Sequence, residues 1–267
     1  FDKPKFHVPE IGAKRPREES PPSSEDEKGP EIEDEKPDID RLLEEAEPVE
    51  VMDLQQMRRA VMGLERKIHR NQELRVKHGD DPSKFMESEI ELFEEINKLQ
   101  AVATAPELYV EFVKINGVAR VVELLDHENV DIALAAVDLI HELTDPEALT
   151  EAEEEDGAKA LVDALVDNAA MELLVKNLGR LDEGNPDGQQ GVYNTLAIFE
   201  NLSELRPQVL EVACERTELV AWLLRRLLAR PLDQNKVYCS EVLSILCQNS
   251  PANQLRVGQN GGMDGLL

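Results

Sequence analysis

Apolar residues recur along this chain at intervals of three and four, the spacing of a helix with one buried stripe. From Leu54 the run is Leu54, Met57, Val61, Leu64 and Ile68, and Gly79 closes it. Asp81-Pro82 then reads as an N-cap with proline at the first helical position. The next helix is predicted to turn Phe85, Met86, Ile90, Phe93, Ile96 and Leu99 inward. A third is expected from Thr104-Ala105-Pro106 to Asn116-Gly117.

From Gly117 a repeating unit takes over. A short helix over 118–125 is followed by a polar link, 126–129, and a longer helix over 130–143 that stops at Asp145-Pro146. Small residues (Ala133, Ala135, Ala136) alternate with large ones (Leu134, Leu139, Leu143), which lets neighbouring helices approach. The unit returns over 219–228, a link at 230–234, and 236–246. Its last-helix segments align at Val137, Leu196 and Val242, spaced by 59 and 46 residues. The second spacing matches an armadillo or HEAT period of about 40–47 residues. The first exceeds it. The excess comprises an acidic stretch at 147–156, extra helix over 158–181, and a Gly-, Asn- and Pro-rich link at 182–190 before a helix over 192–205. A fourth unit starts at Asn253, and Leu266 and Leu267 would lack the covering repeat that solenoids need, so the chain reads as the N-terminal part of a longer protein.

The expected fold class is therefore all-α, an armadillo/HEAT-like right-handed α-solenoid. Residues 1–38 are expected to be a disordered acidic tail, 39–116 a helical N-terminal cap, and 117–267 the repeats, the last incomplete. Aromatics at 4% suit helix-on-helix packing better than a β-sandwich. The tail is rich in Pro, Glu, Asp and Ser and has too few large apolar residues to offset its ordering entropy.

Charge narrows the function. There are 56 Asp plus Glu against 29 Lys plus Arg, a formal net charge of −27. Such a chain repels nucleic-acid phosphate and attracts basic protein segments, so no direct nucleic-acid partner is expected. The exception is Lys14-Arg15-Pro16-Arg17, which reads as a monopartite nuclear localisation signal or as an incidental cluster in a solvated tail. Ser20, before Pro21, and the acid-flanked Ser23 and Ser24 are candidate phosphorylation sites. No apolar run approaches the roughly 18 residues of a membrane span. Three cysteines without CxxC spacing fit a reducing compartment.

No catalytic or cofactor motif is present: no GxxxxGK[ST], GxSxG, HExxH or DxDxDG. His127 falls in a polar link and His141 in a repeat helix, where solvation or a satisfied interface explains them. Cys239 and Cys247 lie two helical turns apart, but a zinc site would still lack two ligands. The segment 151–156 reads as a solvated linker, a calcium patch or a docking site for a basic peptide. With neither cofactor nor metal implied, the chain is expected to be non-catalytic and to offer basic partners the face of a solenoid.

The runs Asn71-Gln72-Glu73-Leu74-Arg75 and Lys84-Phe85-Met86-Glu87-Ser88-Glu89 carry a resemblance, as do Val137-Asp138-Leu139 with Glu142-Leu143-Thr144-Asp145. So do Leu161 to Asp167, Asn194-Thr195-Leu196-Ala197-Ile198 with Glu200-Asn201-Leu202, and Tyr238 to Leu243. Together they make the chain similar to the spliceosome-associated beta-catenin-like family. The resemblance implies a nuclear scaffold of the nineteen complex. It implies as partners that complex's splicing factors, its Myb-type subunit among them, bound through basic segments, and self-association as a homo-oligomer. A nuclear transport adaptor is the alternative. Import adaptors, however, hold peptides on a ladder of Asn and Trp. Here the Asn position carries Glu142, Asn201 and Cys247, and the Trp position Asp138, Ala197 and Leu243. Glu142 and Asn201 remain as candidate partner-binding residues.

Overall fold

A computed structural model of the chain describes residues 52–151, 155–229 and 232–262. The tail with Lys14, Arg15, Pro16, Arg17, Ser20, Ser23 and Ser24, the helical start near Ile39, and Leu266 and Leu267 lie outside the described residues. Among the described residues there are thirteen α-helices and no strand.

Helix α1 (Leu54–Lys77) starts at a reciprocal cap: Gln56 N donates to Asp53 Oδ1 and Asp53 N donates to Gln56 Oε1, each at 2.7 Å. Its stripe buries Met57, Val61, Leu64 and Ile68, as the spacing predicts. A 3₁₀ turn, Pro82–Lys84, precedes α2 (Met86–Leu99), so Pro82 opens the turn and not the helix itself. Then come α3 (Tyr109–Lys114), α4 (Gly117–Leu124) and α5 (Val130–Leu143). The sequence-predicted bounds of α5 coincide with the observed ones. Asn129 caps it by accepting from Asp131 N at 2.9 Å.

Next are α6 (Pro146–Glu151), α7 (Glu155–Asp167) and α8 (Ala170–Leu178), the last two separated where Ala169 takes a left-handed φ of 58°. Then follow α9 (Pro186–Leu205), α10 (Gln208–Arg216), α11 (Leu219–Leu228), α12 (Gln234–Cys247) and α13 (Pro251–Gln259). Helix α10 has no counterpart in the periodicity reading. Its mostly charged exposed face and the preceding Pro207 resemble a link, yet Val209, Leu210, Ala213 and Cys214 are buried.

Four helices, α2, α5, α9 and α12, stack side by side in chain order and form one layer. The others pack behind them: α1 on α2, α4 on α5, α7, α8 and α10 on α9, and α11 on α12. This is the all-α, armadillo-like solenoid expected. One continuous core runs between the layers, and Phe112 and Phe199 lie wholly inside it. Burying a side chain of that size contributes about 1.5–3 kcal/mol.

Two differences from expectation shape the stacked layer. First, α9 begins six residues earlier than its apolar run suggests, at an Asn185 cap (Gly188 N donates to Asn185 Oδ1, 2.7 Å) with Pro186 next. Gly188 and Gly191 read as loop residues but serve close packing. A Cβ on Gly188 would collide with the Asp182 backbone, and one on Gly191 with Leu134 of α5. Second, Met86, Ile90 and Phe93 are not turned inward: they are 57%, 54% and 40% exposed. Helix α2 buries Ser88, Leu92, Glu95, Ile96 and Leu99 instead. It is apolar on two nearly opposite sides, and spacing alone cannot say which side packs.

Candidate docking surface

The stacked layer presents a groove of about 230 Å³ where α2, α5 and α9 meet. Phe93, Leu134, Ala135 and Gly191 give it an apolar floor, and Asp131, Asp138 and Asp187 give it carboxylates. Asp131 and Asp187 are each the second residue of their helix, where a carboxylate also favours the positive end of the helix dipole. Both are exposed, and neither has a cationic partner among the described residues. Asp138, half-buried, accepts from Asn194 Nδ2 at 2.8 Å, and Gln190 Nε2 donates to Asn194 Oδ1 at 2.7 Å. Burial raises the Asp138 carboxyl above its ordinary range, the Asn194 bond and the charge of His141 offset part of this, and Glu142 adds to the rise.

Gln190 also lines a second depression, of about 360 Å³, between α9 and α12. Arg226 closes it as a clamp. Its Nε and Nη2 donate to the two oxygens of Glu183 (2.6 and 2.9 Å), and Nη2 also reaches Asp233 at 2.8 Å. Asn235 Nδ2 donates to Glu183 Oε2 and to Gln189 O, each at 3.0 Å. The rings of Tyr193 and Tyr238 lie 4.8 Å apart, and Tyr238 donates its hydroxyl to Glu200. These groups satisfy one another, so this depression is the more self-contained of the two.

A third polar cluster ties the first helices to α5. Arg75 lies over the Phe85 ring at 4.7 Å and pairs with Glu89 and Glu128. Asn71 donates to Ser88 Oγ (2.8 Å) and lies 3.0 Å from His127 Nε2, while Asn129 N donates to His127 Nδ1 at 3.0 Å. The imidazole is thus a satisfied interface group, its pKa lowered chiefly by burial.

Glu142 is exposed on α5, 3.4 Å from His141. Asn201 is half-buried, with Nδ2 3.5 Å from Thr144 Oγ1 at the other end of the layer from the groove. Ala197 and Leu243 are buried, and Trp222 packs half-buried against the core. Burial pushes the Cys214 and Cys239 thiols up to about 12, which keeps them protonated and poorly nucleophilic. Among the described residues, no group of three His, Cys, Asp or Glu could hold a metal ion and no helix is long and apolar enough to cross a membrane. From sequence, Asp138 enters only as a ladder departure and within a family-like run, and Asp131, Asp187 and the exposure of Phe93 do not enter at all. The available signal was the aspartate two residues after an asparagine N-cap in both α5 and α9.

The family model described as catenin-beta-like, Arm-motif containing nuclear matches residues 38–267. The chain belongs to this family. The catenin-beta-like chain is 46% identical over 217 residues to beta-catenin-like protein 1 of Homo sapiens, covering 81% of this chain and 38% of that protein. The corresponding protein of Mus musculus matches equally, at 46% over 217 residues. The beta-catenin-like protein 1 homolog of Schizosaccharomyces pombe is 35% identical over 214 residues, 79% of this chain and 37% of that protein. The chain therefore spans less than two-fifths of the length of the curated relatives it matches. The cluster around Arg75 is built from the Asn71–Arg75 and Lys84–Glu89 runs in which the family resemblance is read.

Proposed function

We propose that this chain is a non-catalytic nuclear scaffold of the pre-mRNA splicing machinery, associated with the nineteen complex. It docks basic segments of splicing factors, the Myb-type subunit of that complex among them, on its stacked helices. Lys14, Arg15, Pro16 and Arg17 act as its import signal. The observation that carries the docking reading is the groove with Asp131, Asp138 and Asp187, none of them in a salt bridge among the described residues, set on a chain of a nuclear armadillo family. An apolar floor below unpaired carboxylates suits Lys or Arg, whose methylene stem packs while the charged end meets the acids.

The test is capture from nuclear extract by the full chain, with bound proteins identified by mass spectrometry, beside a D131N/D138N/D187N variant. Recovery of nineteen-complex subunits by the wild type, reduced in the variant, supports the reading. Recovery of importin-β without splicing factors would make the chain a transport adaptor instead.

A further inference from the structure

Met86, Ile90 and Phe93 stand on three successive turns of α2, on the side away from its buried face. Nothing among the described residues covers them. The stripe is not separate from the acidic groove, because Phe93 at its end is part of the groove floor. Acidic residues flank it. Glu87 and Glu94, seven residues apart, run along one edge of α2, both exposed and neither ion-paired among the described residues. Asp131, Asp138 and Asp187 lie beyond Phe93 on the other side. The cations close to α2 are already engaged: Arg75 pairs with Glu89 and Glu128, Lys84 with Asp81, and Lys98 with Glu95.

We propose that the α2 stripe and the acid-rimmed groove form one docking surface for a basic amphipathic helix of a partner protein. That helix carries apolar side chains at i, i+4 and i+7 against Met86, Ile90 and Phe93, with Lys or Arg on its flanks against the carboxylates. This is the helix-in-groove mode of recognition, in which apolar anchors supply affinity and rim charges select the partner. The inference rests on the docking reading above and adds that the partner segment is helical and has an apolar face. Charge disfavours the obvious competitors at this face. A second copy of a chain with net charge −27 would bring acid against acid, and an anionic membrane surface would be repelled.

The experiment uses the full chain and two labelled peptides of identical composition. One places Leu at i, i+4 and i+7 with Lys and Arg alongside; the other scrambles the same residues. Fluorescence anisotropy is expected to show the amphipathic peptide binding at least about tenfold tighter than the scrambled one. I90S/F93S, at exposed positions and with an unchanged melting temperature, should remove that advantage, while the scrambled peptide, which meets only Phe93 in the groove floor, should weaken to a much smaller degree. D131N/D138N/D187N should weaken both peptides. Equal affinity for the two peptides, or full amphipathic binding by I90S/F93S, would overturn the helix proposal while leaving basic docking intact. Failure of both peptides to bind the wild type would remove both readings. A wild-type dimer in sedimentation that becomes monomeric in I90S/F93S would assign the stripe to a second copy and overturn the proposal.

Discussion

Asn194 donates its side-chain amide to Asp138 Oδ1 at 2.8 Å and so ties α9 to α5 beside the acidic groove. The bond offsets only part of the cost of holding a carboxylate in a half-buried site. Because burial raises the folded-state pKa of Asp138, its contribution to stability is most favourable at low pH and is lost as pH rises through the folded value. At neutral pH the charge is therefore a cost. D138N keeps an acceptor for Asn194 and is expected to gain about 0.5–1 kcal/mol, a rise of about 1–4 °C in melting temperature for a domain of this size. The same variant should bind basic peptides more weakly. Thermal melts and a binding titration check both signs.

Gly188 illustrates packing overriding helix propensity. Glycine to alanine inside a helix ordinarily gains up to about 1 kcal/mol. Here the added Cβ would meet the backbone carbonyl of Asp182, which cannot rotate aside as a side chain could. Gly188→Ala is expected to lose about 1–3 kcal/mol in urea unfolding. A gain would show that the 182–185 turn yields freely.

The imidazole of His127 is placed between Asn71 and the Asn129 N–H, with Arg75, Glu89 and Glu128 as its charged neighbours. Its folded pKa is lowered, so its contribution is fully present above the ordinary value of about 6.5 and is lost as pH falls through the folded value. H127Q should remove this dependence. The difference in unfolding free energy between wild type and H127Q is expected to shrink between pH 7.5 and pH 5. A constant difference would contradict the assignment.

Arg226 holds Glu183 and Asp233 together with a side chain only 12% exposed. R226A leaves two carboxylates close together without their shared cation and is expected to cost about 2–4 kcal/mol. R226K should recover little of it, because one ammonium cannot reproduce the forked contacts to both oxygens of Glu183. Melting temperatures of the two variants measure the difference.

Much of the fold is legible in the chain wherever a helix is apolar on one side only, as in α1 and α11. Reading fails where another need shares the helix. Gly188 and Gly191 look like breakers but admit Asp182 and Leu134, so the start of α9 is hidden. The stripe of Met86, Ile90 and Phe93 has helical spacing, yet spacing does not distinguish a core from a docking face. The candidate groove was less legible still. Asp131 and Asp187 are 56 positions apart and each reads locally as a first-turn carboxylate serving its own helix dipole. Only stacking α5 beside α9 makes them one site.

The central claim is that unpaired carboxylates on the stacked helices dock a basic segment. The direct measurement is the affinity of a Lys- and Arg-rich peptide for wild type and D131N/D138N/D187N, at about 50 and about 200 mM salt. The account expects affinity to fall with salt in the wild type, to fall about tenfold or more in the variant, and to lose most of its salt dependence there. Equal affinity for both proteins, unchanged by salt, would contradict it.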